Sequence, residues 1–212
     1  MKLITLIIIL VVIIIFTLGY ILYCLESMMN SLPFRVGYVS SNLTDCLPIL
    51  DDIIQHYIPK TAATSFIEPG AGLSHVAHWA KKYQWKHITA IDLNLSLILL
   101  ARLLDLKRGG GVQYVRKNIF AYSYPKNSLL YCYLREPILE RMHQEGHFNG
   151  CLVVSLTFAI PNVIPTETKP LPGWQKRMYV YDFRTNPQIP VSDAEIVPAD
   201  TPAHGKNPRV KK

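Results

Sequence analysis

Cysteine is scarce in this 212-residue chain: four residues, Cys24, Cys46, Cys132 and Cys151, none of them in a C-x-x-C pair. That spacing excludes a zinc ribbon or a thioredoxin-like dithiol and suits a reducing compartment. Cys132 and Cys151 sit inside apolar runs and read as small buried hydrophobes. His75 and His78 share a helical face, but no third ligand lies near them in sequence, so no metal site is expected. Basic residues are not interleaved with aromatics, and nucleic acid is therefore not an expected partner despite the formal charge of +7. No internal repeat is visible. Charge is missing altogether from Leu3 to Tyr23, "LITLIIILVVIIIFTLGYILY".

That uncharged run has the length a membrane-spanning helix needs, about 20 residues. The following "CLESMMNS" carries no A-x-A-like cleavage site, so the run reads as an uncleaved single-pass anchor rather than a signal peptide. Lys2 lies before it, and Arg35 is the first basic residue after it, so flanking charge does not orient the helix. At the other end, Lys206, Arg209, Lys211 and Lys212 make a basic tail within a Pro-rich, polar stretch that lacks any core pattern. The expected organisation is an anchor over 1–24, a linker over 25–43, one folded domain over 44–184 and a disordered tail over 185–212.

Within the domain, "TDCLPILDDIIQHYI" has apolar residues at helical spacing, with Thr44 or Asp45 as cap and Pro48 in the first turn. Strand and helix patterns then alternate: "TSFIE", "LSHVAHWAKKY", "HITAID", "SLILLARLLDLK", "VQYVRKN", "SLLYCYL", "PILERMHQ" and "CLVVSLTF". Such alternation predicts an α/β fold, a Rossmann-like, doubly wound and mostly parallel sheet. "AIPNVIPTETKPLPGW", with four prolines, reads as a loop, and "RMYVYDF" as one more strand. Six strands in all are expected.

The chemistry concentrates in "SFIEPGAGLSHVAHWAKK", Ser65 to Lys82. Glycines after the first strand let backbone approach a ligand closely. A dinucleotide fingerprint, G-x-G-x-x-G, has a third glycine where this chain has His75, which counts against NAD. Asp92, twenty residues past Gly72, ends the second strand, where an acid can accept both ribose hydroxyls of a nucleoside. Asn118 ends the third strand and offers an amide that can read a base edge.

Glu68, Gly70, Gly72 and Ser74, in the order acid-x-Gly-x-Gly-x-small, resemble the first motif of class I S-adenosylmethionine-dependent methyltransferases. The succession "FIEPGAG", "ITAIDLNLSLILLARLL", "YVRKNIF", "LYCYLREPILERM" and "CLVVSLTFAIPNVIP", behind an apolar anchor, resembles one subgroup: the small membrane-anchored protein-lysine methyltransferases of the ATP synthase c-subunit type. The resemblance spans about Pro33 to Phe183. Leu73 and Ser74 depart from the acid–glycine pair usual there, and Phe120 replaces a frequent tryptophan. It implies S-adenosyl-L-methionine as cofactor, held by Glu68, Gly70, Gly72, Asp92 and Asn118. It also implies a protein substrate. The anchor brings the site close to the bilayer, so a membrane protein is the expected acceptor, and a methyl donor made in the cytosol puts the catalytic domain on the cytosolic side of a bacterial inner membrane or an organelle membrane.

Methyl transfer to a lysine asks for positioning and for loss of the amine proton. "YLREP" follows the fourth strand at the same sheet edge, so Tyr133 and Glu136 are the candidate catalytic residues. Tyr133 would offer its ring face to a cation and Glu136 a proton acceptor. The bland alternative has Glu136 serving only the first turn of the helix opened by Pro137. Two other functions remain open from sequence: a non-catalytic S-adenosylmethionine-binding or assembly protein, and an NAD-dependent reductase.

Overall fold

The computed structural model describes residues 2–31, 43–59, 64–172 and 176–184. The stretch "PFRV" at 33–36 in the expected linker, the residue Asn42 that opens the N-x-T sequence "NLT", Trp174 and the basic tail lie outside the described residues.

Helix α1 spans Lys2–Ser31 and is uncharged from Leu3 to Tyr23. Its segment Leu3–Cys24 is 22 residues long and none of it is buried in the protein. At 1.5 Å per residue that is about 33 Å, long enough to cross the hydrocarbon of a bilayer. Helix α2 (Leu43–Tyr57) buries Cys46, Leu50, Ile53 and Ile54, the three-and-four spacing of one face. Its described start at Leu43 puts Thr44 and Asp45 inside the helix rather than at its cap, and Pro48 beyond the first turn. Pro48 is tolerated there because it lies on the exposed face, where solvent can reach the carbonyl left without a partner.

The sheet follows: β1 (Ser65–Pro69), α3 (His75–Ala80), β2 (Ile88–Asp92), α4 (Leu95–Lys107), β3 (Gln113–Arg116), β4 (Ser128–Cys132), α5 (Glu136–Gln144), β5 (Leu152–Leu156), β6 (Glu167–Pro170) and β7 (Arg177–Asp182). Seven strands run in the order β3-β2-β1-β4-β5-β7-β6. The first five are parallel, and β7 is antiparallel to both β5 and β6. Central strands β1, β4 and β5 are buried at every position, which is why their sequences are nearly continuous apolar runs. Alternate residues feed two cores. Phe66, Leu129, Tyr131 and Val154 pack with α2, α3 and α4, whereas Ile67, Leu130, Cys132 and Val153 pack with α5.

Strand β6 corrects the six-strand expectation. It lies in the four-proline segment, and Pro170 at its end pairs with Arg177. It is the edge strand, where a missing N–H breaks no interior ladder. Side chains fix it to α2: Lys169 pairs with Asp52, and the Tyr57 hydroxyl donates to Glu167 at 3.1 Å.

In the segment between β5 and β6, the backbone N–H of Ile160 donates to the buried Tyr181 hydroxyl at 2.9 Å. Tyr181→Phe keeps the ring and strands that N–H. It should lower unfolding free energy by about 1–3 kcal/mol, read as a shifted denaturation midpoint in mild detergent with unchanged slope.

Candidate functional site

Strand order reverses between β1 and β4, and in open α/β sheets the crevice outside the carboxyl ends at that point is where ligands sit. Across this edge, in spatial order, the parallel strands deliver Asn118 after β3, Asp92 from β2, Glu68 and the glycine loop from β1, Tyr133 after β4 and Phe158 after β5.

The loop leaves β1 through alternate left-handed residues: Gly70 at φ 69°, Gly72 at φ 55° and Ser74 at φ 55°. Gly70 is favoured by its left-handed φ, and a Cβ there would stand 2.8 Å from Leu134 Cδ2 and oblige that side chain to move. Leu134 thus closes the crevice floor from the β4 side, a contact no sequence spacing could reveal.

Two carboxylates hold the loop. Asp92 accepts the N–H of Gly72 through Oδ2 and that of Asn94 through Oδ1, both at 2.8 Å, and remains partly exposed. Glu68 is 7% exposed. Its Oε2 accepts the N–H of Ala77 at 2.8 Å, inside the first turn of α3. Ser74, in the cap position, makes no side-chain cap bond, so Glu68 satisfies a donor that a cap would otherwise take. Among the described residues, the buried Ser74 hydroxyl has no hydrogen-bond partner. An orphaned hydroxyl, a buried acid and a partly exposed acid therefore line one glycine loop, a donor–acceptor set that fits a nucleoside with a cationic appendage.

Burial, with Asp92 as a lesser like-charge neighbour, pushes the Glu68 carboxyl up to about 8.

Asn118 is exposed, and its Oδ1 already accepts the N–H of Phe120 at 3.1 Å as cap of the short turn Ile119–Ala121. Tyr133 is half-buried and lies against Phe158, ring centroids 6.3 Å apart and planes 24° apart. Glu136 is exposed in the first turn of α5, the placement that suits a helix-terminal acid. The structure therefore groups Glu68, Gly70, Gly72 and Asp92 tightly, places Asn118 beyond Asp92, and sets Tyr133 across the crevice with Glu136 further along the chain.

Thr157, just past β5, also escapes sequence reading. It is β-branched at φ 75°, and its buried hydroxyl has no partner among the described residues. Such strain persists only where neighbours impose it; here the Thr157 N–H donates to the Arg177 carbonyl at 2.8 Å, and the Ser155 hydroxyl donates to the Phe158 carbonyl at 2.7 Å. His78, considered as a metal ligand, has Nδ1 3.0 Å from Asp105 Oδ1, a contact joining α3 to α4. Arg116 and Lys117 serve strand ends: Arg116 donates to the Leu93 carbonyl at 3.2 Å, and the Lys117 ammonium lies 5.9 Å from the Tyr122 ring centroid.

Glu68 carries a stability consequence. Below its ordinary value of 4.5 the carboxyl is protonated whether folded or unfolded, so no charge is buried and this group adds no pH dependence. Between there and about 8 the folded state holds a proton that the unfolded state has lost, and stability falls as pH rises, by at most about 1.4 kcal/mol per unit. Glu68→Gln retains an acceptor for Ala77. It should be more stable than the parent at pH 8 and no more stable at pH 4, as thermal melts across that range will read.

No family model matches the chain, and no curated protein matches it. Solved structures do. An RNA methyltransferase from Salinibacter ruber, in complex with S-adenosyl-L-homocysteine, is 16% identical with a TM-score of 0.58, covering 73% of this chain and 100% of that one. A ribosomal-protein methylase from Lactobacillus delbrueckii subsp. bulgaricus is 14% identical with a TM-score of 0.51, covering 66% and 79%. A protein from Escherichia coli described as a methyltransferase is 15% identical with a TM-score of 0.51, covering 68% and 90%. At such identities the likeness is one of fold, and the fold of this chain is the Rossmann-like fold of the S-adenosylmethionine-dependent methyltransferases.

Proposed function

We propose that this protein is an S-adenosylmethionine-dependent methyltransferase, held in a membrane by α1, that methylates a lysine of a protein substrate. The observation that carries the reading is the pair of acids on one glycine loop at the switch point, Asp92 bound to the Gly72 N–H and Glu68 buried behind it. Solved structures sharing the fold include one that holds S-adenosyl-L-homocysteine, which supports the same class of ligand.

When bound, S-adenosylmethionine supplies a methyl group already activated on a sulfonium. The residues of this chain have to bind, orient and deprotonate. Asp92 offers the carboxylate for ribose hydroxyls, Asn118 the amide for an adenine edge, and Gly70 and Gly72 the close backbone approach. Glu68 supplies buried negative charge opposite a cationic ligand. Tyr133, with Phe158 behind it, gives an incoming ammonium an aromatic wall, and Glu136 is the carboxylate placed to take its proton. The membrane placement rests on the length and apolar character of α1, and a cytosolic domain follows from where the methyl donor is made. Two supports for other readings weaken. A truncated sheet would favour an inert scaffold, and the sheet among the described residues has seven strands. The reductase lacks its third glycine.

Membranes carrying the protein, incubated with radiolabelled methyl donor, should yield a labelled protein band that survives lipid extraction and nuclease. Label confined to the organic extract or to RNA overturns the protein substrate. In calorimetry, donor affinity should rise with pH toward about 8, because the ionised Glu68 is the binding form. Glu68→Gln should lose most of the affinity along with that slope; unchanged affinity removes Glu68 from the site.

A further inference from the structure

Helix α4 is apolar on two sides. Leu97, Ile98 and Ala101 pack onto the sheet. The opposite side carries Leu95, Leu99, Leu103 and Leu106, spaced four, four and three, whose exposure runs from 38% at Leu95 to 72% at Leu106. Leu93 and Leu100 widen the stripe at 41% and 45%. A helix apolar all round is ordinarily covered all round. A contiguous face of large aliphatics on one helix marks an interaction site rather than the scatter of single exposed leucines found on most surfaces.

What covers it is indicated by two neighbours. Helix α1 comes against α4, yet leaves these leucines exposed, and no residue of its own apolar span Leu3–Cys24 is buried. The solvent that α1 requires therefore begins beside α4. The charges on α4 point the same way. Its one acid, Asp105, is buried on the inner side and paired with His78 and Lys81. Arg102, Lys107 and Arg108 are exposed, with Arg102 held by its hydrogen bond to the Tyr114 carbonyl at 2.8 Å. Leucines with basic and no acidic residues at their margin are the composition of a helix lying in the headgroup boundary of an anionic bilayer.

We propose that the outer face of α4 is a second membrane contact, seating the domain on an anionic bilayer with its leucines about 5–10 Å below the headgroups. This rests on the reading of α1 as a membrane helix and not on the identity of the methyl acceptor.

The test uses the full chain in vesicles of mixed anionic and zwitterionic lipid, the acyl chains brominated near the glycerol. Leu99→Trp and Leu103→Trp each place an indole on the outer face, against the parent's own tryptophan background. Each should show blue-shifted emission and additional quenching by brominated lipid, weaker in vesicles without anionic lipid. Leu103→Glu combined with Leu99→Trp should abolish the added quenching while the circular dichroism spectrum stays that of the parent. Added indoles that emit unquenched from a chain resisting alkaline extraction overturn the α4 contact and leave the anchor standing. Release of the chain by alkaline carbonate overturns the anchor and this proposal's premise with it. Unquenched emission together with cross-links between copies at position 103 assigns the face to a second copy of the chain, and overturns the proposal.

Discussion

The site hangs on one buried hydrogen bond, from the Ala77 N–H to the Glu68 carboxylate. Helix α3 is six residues long and starts from a residue in the left-handed region, a beginning that forgoes the usual side-chain cap. Without an acceptor from elsewhere, its first turn would bury an unsatisfied donor, and so short a helix has little propensity of its own to set against that. Glu68 supplies the acceptor from the strand beneath. Fixing the start of α3 fixes the loop between, so Gly72 arrives where Asp92 can bind it and Gly70 where Leu134 can close on it.

A glutamate is a costly way to cap a helix. A buried hydroxyl or amide would accept the same N–H without the penalty that raises this carboxyl to about 8. The fold alone does not require that cost, since a neutral acceptor would hold the start of α3 as well. Ser74 is a similar case, its buried hydroxyl having no hydrogen-bond partner among the described residues. Two polar groups on one loop, each more expensive than the fold requires, set this end of the sheet apart from the well-satisfied edge at β6, where Lys169 meets both Asp52 and Glu167.

Much of this was legible in the residues, because the signals were local. The glycine spacing, the acid at the end of β2 and the alternation of strands and helices all lie within short windows. Legibility failed where geometry is long-range. Strand β6 was hidden by its prolines, since only its place at the sheet edge makes Pro170 harmless. The start of α2 at Leu43 depends on an exposed face for Pro48, which composition does not disclose. Leu134, Phe158 and Thr157 could not be picked out because each matters through a partner on another strand. Glu136 reads identically in sequence as a base or a helix-terminal acid, and its exposure in the first turn keeps both roles.

Position along the chain links the two halves of the functional reading. Asp92 and the start of α4 are separated by only two residues, Leu93 and Asn94, and Asn94 caps α4 by accepting the Leu97 N–H at 3.0 Å. Leu93 and Leu95, the first members of the exposed stripe, therefore stand at the carboxyl edge of the sheet, beside the crevice. A domain resting on a bilayer through this stripe would turn the Asp92 end of its site toward the membrane plane rather than toward bulk solvent. An acceptor carried by a membrane protein close to the lipid surface could then be reached without the anchor bending back. A soluble acceptor would gain nothing from that arrangement.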